Sequence, residues 1–116
     1  MQQRPNEIML QKHGEVTLLD IKGDITAFSE PYLNDAYKDL NTQGAGKLIF
    51  NFEDSAYINS GGIAVLIQIL VQTKRNNQNI AITGLSEHFK KVFNMVGITK
   101  FAAIHPSVEN ALKTMS

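Results

Sequence analysis

Four stretches of the chain carry apolar residues at the spacing i, i+3, i+4, i+7: Leu33, Ala36, Tyr37 and Leu40; Ile63, Leu66, Ile67 and Leu70; Phe89, Val92, Phe93 and Val96; and Val108, Ala111, Leu112 and Met115. Each set falls on one helical stripe, which predicts four amphipathic helices. Shorter β-forming runs lie between and before them, Ile8 to Lys12, Val16 to Lys22, Leu48 to Phe52, Ile80 to Thr83 and Phe101 to Ile104, and these predict five strands. Only His13, Gly14 and Glu15 separate the first two, a length that suits a hairpin and leaves no room for a crossover helix. From there strand and helix alternate, the order of a mostly parallel sheet with right-handed crossovers, whose apolar strands need cover on both faces. Ser86 and Ser107 stand where the third and fourth helices need caps, and Gly44 and Gly97 follow the first and third as stops. The expected fold is α/β: one domain over 1–116, its ordered core spanning 8–115, built as a five-stranded mixed sheet with an N-terminal hairpin and four helices.

Composition narrows what such a domain does. A chain of 116 residues can form one apolar core without metal or disulfide staples. Eleven Lys and Arg balance eleven Asp and Glu, so no net field draws in nucleic acid or an anionic membrane, and neither is expected as a partner. The absence of cysteine removes disulfides, thiol nucleophiles and the usual structural zinc sites, and it suits a reducing, cytoplasmic setting. Met1 to Leu10 lacks the basic-then-apolar order of a secretory signal, and the nearly apolar stretch Gly61 to Val71 is too short to span a bilayer as a helix. His13, His88 and His105 lie on separate elements without paired ligand spacing, so no metal is expected. The glycines match neither nucleotide-binding spacing, and no cofactor is expected. Glu53 and Asp54 have no accompanying nucleophile or histidine and read as solvated acids at a strand end, so no catalytic residue is assigned.

The informative stretch runs from Asn51 to Leu70, NFEDSAYINSGGIAVLIQIL. Ser60 stands at the expected helix start, where its hydroxyl is either a plain N-cap or an accessible phosphoacceptor. Gly61 and Gly62 open the helix although glycine costs about 1 kcal/mol there relative to alanine. Bare backbone lets another molecule approach, and a phosphate on Ser60 would gain from the positive helix end. Gly61, Ala64, Gln68, Gln72 and Arg75 fall opposite the apolar stripe, giving a smooth face that either receives a partner or packs under a loop. Phe28 and Tyr57 lie in the two loops expected beside Ser60 and serve either the partner surface or as plugs on the strand ends.

These residues resemble the anti-sigma factor antagonists and the wider STAS domain family. The likeness lies in Gly23-Asp24-Ile25, Asn51 to Asp54, Tyr57 to Leu66 and Val92 to Ile98, in the family's order across nearly the whole chain. It implies partner switching: an anti-sigma factor serine kinase, which itself binds the ATP, holds the unphosphorylated antagonist and phosphorylates it on the serine that Ser60 matches, and a phosphoserine phosphatase restores binding. On this reading Asp24, Thr26, Phe28, Tyr57, Asn59, Gly61, Gly62, Ala64 and Gln68 form the partner surface, and the chain is a substrate and ligand rather than an enzyme. The family often has an acid at the positions of Asn59 and Thr26, so two negative charges are missing here, which lowers the electrostatic cost of a phosphoserine carrying about −1.5 to −2 charges. The alternatives are a STAS scaffold subunit of a signalling or transport assembly, and a STAS module that binds a small molecule or lipid.

Overall fold

The computed structural model describes residues 6–54 and 56–115. Strand β1 (Glu7–His13) pairs antiparallel with β2 (Val16–Lys22) across a two-residue turn at Gly14 and Glu15; His13, expected in that turn, is the last residue of β1 and pairs with Val16. Gly14 turns the chain at φ 63°, a conformation glycine enters without strain. Helix α1 (Glu30–Thr42), strand β3 (Lys47–Phe52), helix α2 (Ser60–Arg75), strand β4 (Asn79–Thr83), helix α3 (Glu87–Met95), strand β5 (Ala103–Ile104) and helix α4 (Val108–Met115) follow. The sheet order is β1-β2-β3-β4-β5, with every pair after the hairpin parallel.

Strand parity sorts the core into two layers. Leu19 and Ile21 of β2, Leu48, Phe50 and Phe52 of β3, and Ile80 and Ile82 of β4 share the face that receives α1, α2 and α3. Their alternate neighbours Val16, Leu18, Ile49 and Ala81 meet Ala111 and Met115 of α4 on the other face. Ser86 and Ser107 cap α3 and α4 by accepting from the amides of Phe89 and Asn110, and Gly44 and Gly97 follow α1 and α3 with φ 74° and 84°.

The structure corrects three details of the pattern. The buried residues of α2 are Gly62, Val65, Leu66, Ile69, Leu70 and Thr73, a stripe rotated from the one the sequence spacing picks out, with Ile63 and Ile67 at its half-buried margin. Val96 is 45% exposed, because α3 ends at Met95 and Val96 is its C-cap. Phe101 and Ala102 are not in the fifth strand: a 3-10 turn over Ile98–Lys100 takes the amides of both onto the Ile98 carbonyl, and only Ala103 and Ile104 pair with β4. No helix among the described residues is long and apolar enough to cross a membrane.

Candidate functional site

The loops that leave β2 and β3 meet at the carboxyl edge of the parallel strands, where sites of open α/β sheets commonly lie. Beyond the end of regular pairing, Ile25 and Ile58 form an isolated parallel bridge, with the Ile25 amide donating to Tyr57 O at 2.9 Å and the Asn59 amide donating to Ile25 O at 3.1 Å. The bridge keeps the chain extended as far as Asn59, at φ −95° and ψ 179°, and the helix begins immediately after it.

That geometry moves the cap by one residue. Asn59, not Ser60, is the N-cap of α2, its Oδ1 accepting from the Gly62 amide at 2.9 Å. Ser60 is the first helical residue and its side chain is exposed; its hydroxyl has no hydrogen bond among the described residues. The capping explanation for Ser60 therefore fails, and Ser60 stands exposed at the amino end of a 16-residue helix.

The two glycines also differ in role. A Cβ on Gly62 would enter the Ile25 carbonyl, so this glycine is buried to let the helix start lie against the neighbouring loop, and it cannot touch a partner as the sequence reading had it. Gly61 is half-buried beside Ala27, with 3.1 Å from a built Cβ to the Ala27 side chain. Ala64 and Gln68 continue the exposed face of α2.

Phe28 and Tyr57 rise on the two loops beside this helix start. Phe28 is 80% exposed in a 3-10 turn over Ala27–Ser29, and Tyr57 is 61% exposed with its ring edge-on to Phe89 at 6.0 Å. Neither plugs a strand end. Thr26 uses its hydroxyl locally, accepting from the Phe28 amide at 3.1 Å, while its own amide donates to Ser29 Oγ at 3.0 Å. Asp24 is exposed, and its Oδ1 accepts from the Tyr57 amide at 2.9 Å.

Two residues that shape the site, Glu53 and Asn6, are not among the site residues the sequence predicts. Glu53, read above as a solvated acid, accepts from the Gly23 amide at 2.6 Å and joins the two loops at their base. Asn6 is 2% exposed, and its Nδ2 donates to the carbonyls of Lys22 at 2.9 Å and Asp24 at 3.0 Å. All three hydrogen bonds span sequence separations that only the folded hairpin and sheet bring together. No group of three or more His, Cys, Asp or Glu that could hold a metal ion occurs among the described residues.

The STAS domain model matches residues 7–111, nearly the whole of the sheet and its covering helices. The chain belongs to the STAS domain family. Within that family it is 20% identical over 97 residues to the anti-sigma-B factor antagonist of Staphylococcus epidermidis, covering 84% of this chain and 90% of that protein. Against the anti-sigma-B factor antagonist of Staphylococcus aureus strain NCTC 8325 it is 19% identical over 89 residues, covering 77% of this chain and 82% of that protein. Among solved structures, an anti-sigma factor antagonist from Mycobacterium paratuberculosis superposes with a TM-score of 0.78 at 14% identity, covering 94% of this chain and 92% of the other. The Bacillus cell fate determinant SpoIIAA in its phosphorylated form superposes at 0.71 with 18% identity, covering 95% and 100%. At these identities the structural likenesses establish the STAS fold, and the site is argued from its own geometry.

Proposed function

We propose that this STAS domain is an anti-sigma factor antagonist that acts by partner switching, with Ser60 as the phosphoacceptor. The observation that carries the reading is the exposed Ser60 hydroxyl at the start of α2, without a hydrogen bond among the described residues, on a helix start flanked by the loops that carry the exposed rings of Phe28 and Tyr57 and continuous with the exposed face of Ala64 and Gln68. The family membership and the anti-sigma-B factor antagonists among its relatives support it. An anti-sigma serine kinase, holding the ATP, docks on this face and transfers the γ-phosphoryl group to the Ser60 oxygen; the hydroxyl proton leaves to a base of the kinase, and ADP is the other product. The chain supplies the acceptor and the docking surface, in a cytoplasmic setting, and a phosphoserine phosphatase reverses the change.

Phosphate breaks the complex by charge. Placed at the centre of a docked surface, about −1.5 to −2 charges must be desolvated or face like charges, at a cost of several kcal/mol. Incubating the purified protein with candidate anti-sigma kinases and ATP, then mapping the modified residue, tests the assignment; the expected product carries one phosphate, on Ser60. Ser60→Ala should bind the kinase and accept no phosphate, whereas Ser60→Asp should bind at least tenfold more weakly. Equal affinity of the two variants would overturn the mechanism.

A further inference from the structure

Between the two loops of the site runs a chain of hydrogen bonds that begins at a residue far from Ser60 in sequence. Asn6 precedes β1 and is almost completely buried, yet its side-chain oxygen has no hydrogen-bond partner among the described residues. Burying an unmet acceptor is costly, so the residue is explained by what its other end does. Its Nδ2 takes two carbonyls at once, those of Lys22 and Asp24, and so fixes the path by which the chain leaves β2. Ser29 Oγ donates to the same Asp24 carbonyl at 3.3 Å. With its carbonyl held by these two donors, Asp24 directs a carboxylate oxygen at the Tyr57 amide, 2.9 Å away. Tyr57 and Asn59 are then bonded to either side of Ile25, and Asn59 caps the helix on which Ser60 is the first residue.

We infer that Asn6 and Asp24 are positioning residues for Ser60: Asn6 sets the backbone of Asp24, and the Asp24 carboxylate fixes the loop that presents the hydroxyl. Asp24 then acts through the acceptor oxygen it offers to Tyr57 and not through a charge offered to a partner, which reassigns a residue that the sequence places on the docking surface. The inference rests on the proposed role of Ser60 for its consequence, but its test needs no kinase.

The discriminating pair is Asp24→Asn and Asp24→Ala in the unphosphorylated protein, read by NMR-detected amide hydrogen exchange. Asparagine keeps an oxygen that accepts from Tyr57 and removes the charge, whereas alanine removes both. Exchange at the Tyr57, Asn59 and Ile25 amides should quicken roughly tenfold in the alanine variant, the loss of about one hydrogen bond, and stay within about twofold of wild type in the asparagine variant. Amides of the β2–β3 ladder should be unchanged in both. Asn6→Asp, which keeps the shape and removes the donor, should quicken the same three amides; should it fail to fold, the Asp24 pair still decides. Unchanged exchange in Asp24→Ala, or exchange in Asp24→Asn as fast as in Asp24→Ala, would overturn the inference. A protein that passes this test and yet accepts no phosphate at Ser60 from any anti-sigma kinase would retain the positioning and lose the proposed function.

Discussion

One residue separates Ser60 as a cap from Ser60 as a free hydroxyl, and both Asn and Ser are good N-caps, so local spacing does not choose between Asn59 and Ser60. The choice is made by the bridge to Ile25, a contact across 33 residues, which holds Asn59 extended and lets the helix start at the next position. The exposure of Ser60 is thus a product of the tertiary fold, and the sequence shows only that a small polar residue belongs there. Asn59→Ala should cost about 0.5–2 kcal/mol in urea unfolding through loss of the cap, and Asn59→Asp, an equally good cap, should lie close to wild type. The glycines separate in the same way. Gly62→Ala gains helix propensity of about 1 kcal/mol but drives a methyl into the Ile25 carbonyl, and overpacking against backbone of this kind typically costs about 1–3 kcal/mol; a net loss of stability is expected, with Gly61→Ala nearer to neutral because its methyl meets nothing nearer than the Ala27 side chain and amide at 3.1 Å and Asn59 Oδ1 at 3.4 Å. Equal midpoints for the two variants would show that the loop yields freely.

At the scale of elements, the helices, the hairpin and four of the five strands were legible because each is long enough for its period to show. The failures have local causes. In α2 the buried stripe includes Thr73, a polar residue that an apolar template rejects; its hydroxyl donates to the Leu70 carbonyl at 2.7 Å, so the side chain enters the core with its hydrogen bond already made. The fifth strand is short because the turn after Gly97 consumes Phe101 and Ala102, and nothing in the β propensity of those residues reveals a 3-10 turn before them. A polar row across three strands was equally hidden, since it depends on register. Asp20, Asn51 and Thr83 are lateral neighbours on the α4 face of the sheet, where Asn51 Nδ2 donates to Asp20 Oδ1 at 3.0 Å and Thr83 Oγ1 donates to Asn51 Oδ1 at 2.8 Å. Thr83 is 1% exposed, so Asn51→Ala leaves a buried hydroxyl without its acceptor. The expected cost is about 1–3 kcal/mol in equilibrium unfolding, with Thr83→Val in the same background recovering part of it by removing the orphaned group. No recovery in the double variant would mean that the row contributes through packing alone.

For the whole molecule, the sheet divides labour between its faces. The site belongs to the loops and to α2, on the side of the larger apolar layer, while the opposite layer depends on α4, a helix of 8 residues that is too short to be stable in isolation and is held by the strands it covers. Val16, Leu18, Ile49 and Ala81 are all buried under it, and Met115 closes the far end of the helix at 6% exposed. Truncating that side chain removes dispersion contacts and leaves a cavity next to the sheet, but the loss sits near the end of the last helix, where the backbone can collapse partly into the gap. Met115→Ala should therefore cost about 2 kcal/mol, at the low end for a buried methionine, lowering the urea midpoint without changing its slope. Because Met115 packs beneath the face opposite α2, the variant should open α4 locally before the rest of the sheet. Amide exchange measured under native conditions would then quicken along α4 by more than at Tyr57, Asn59 and Ile25, whose hydrogen bonds lie in the loops at the carboxyl edge of the strands and involve no residue of α4. A uniform increase across all amides would instead show that the two layers open only together, and that the presentation of Ser60 depends on the covering of both faces.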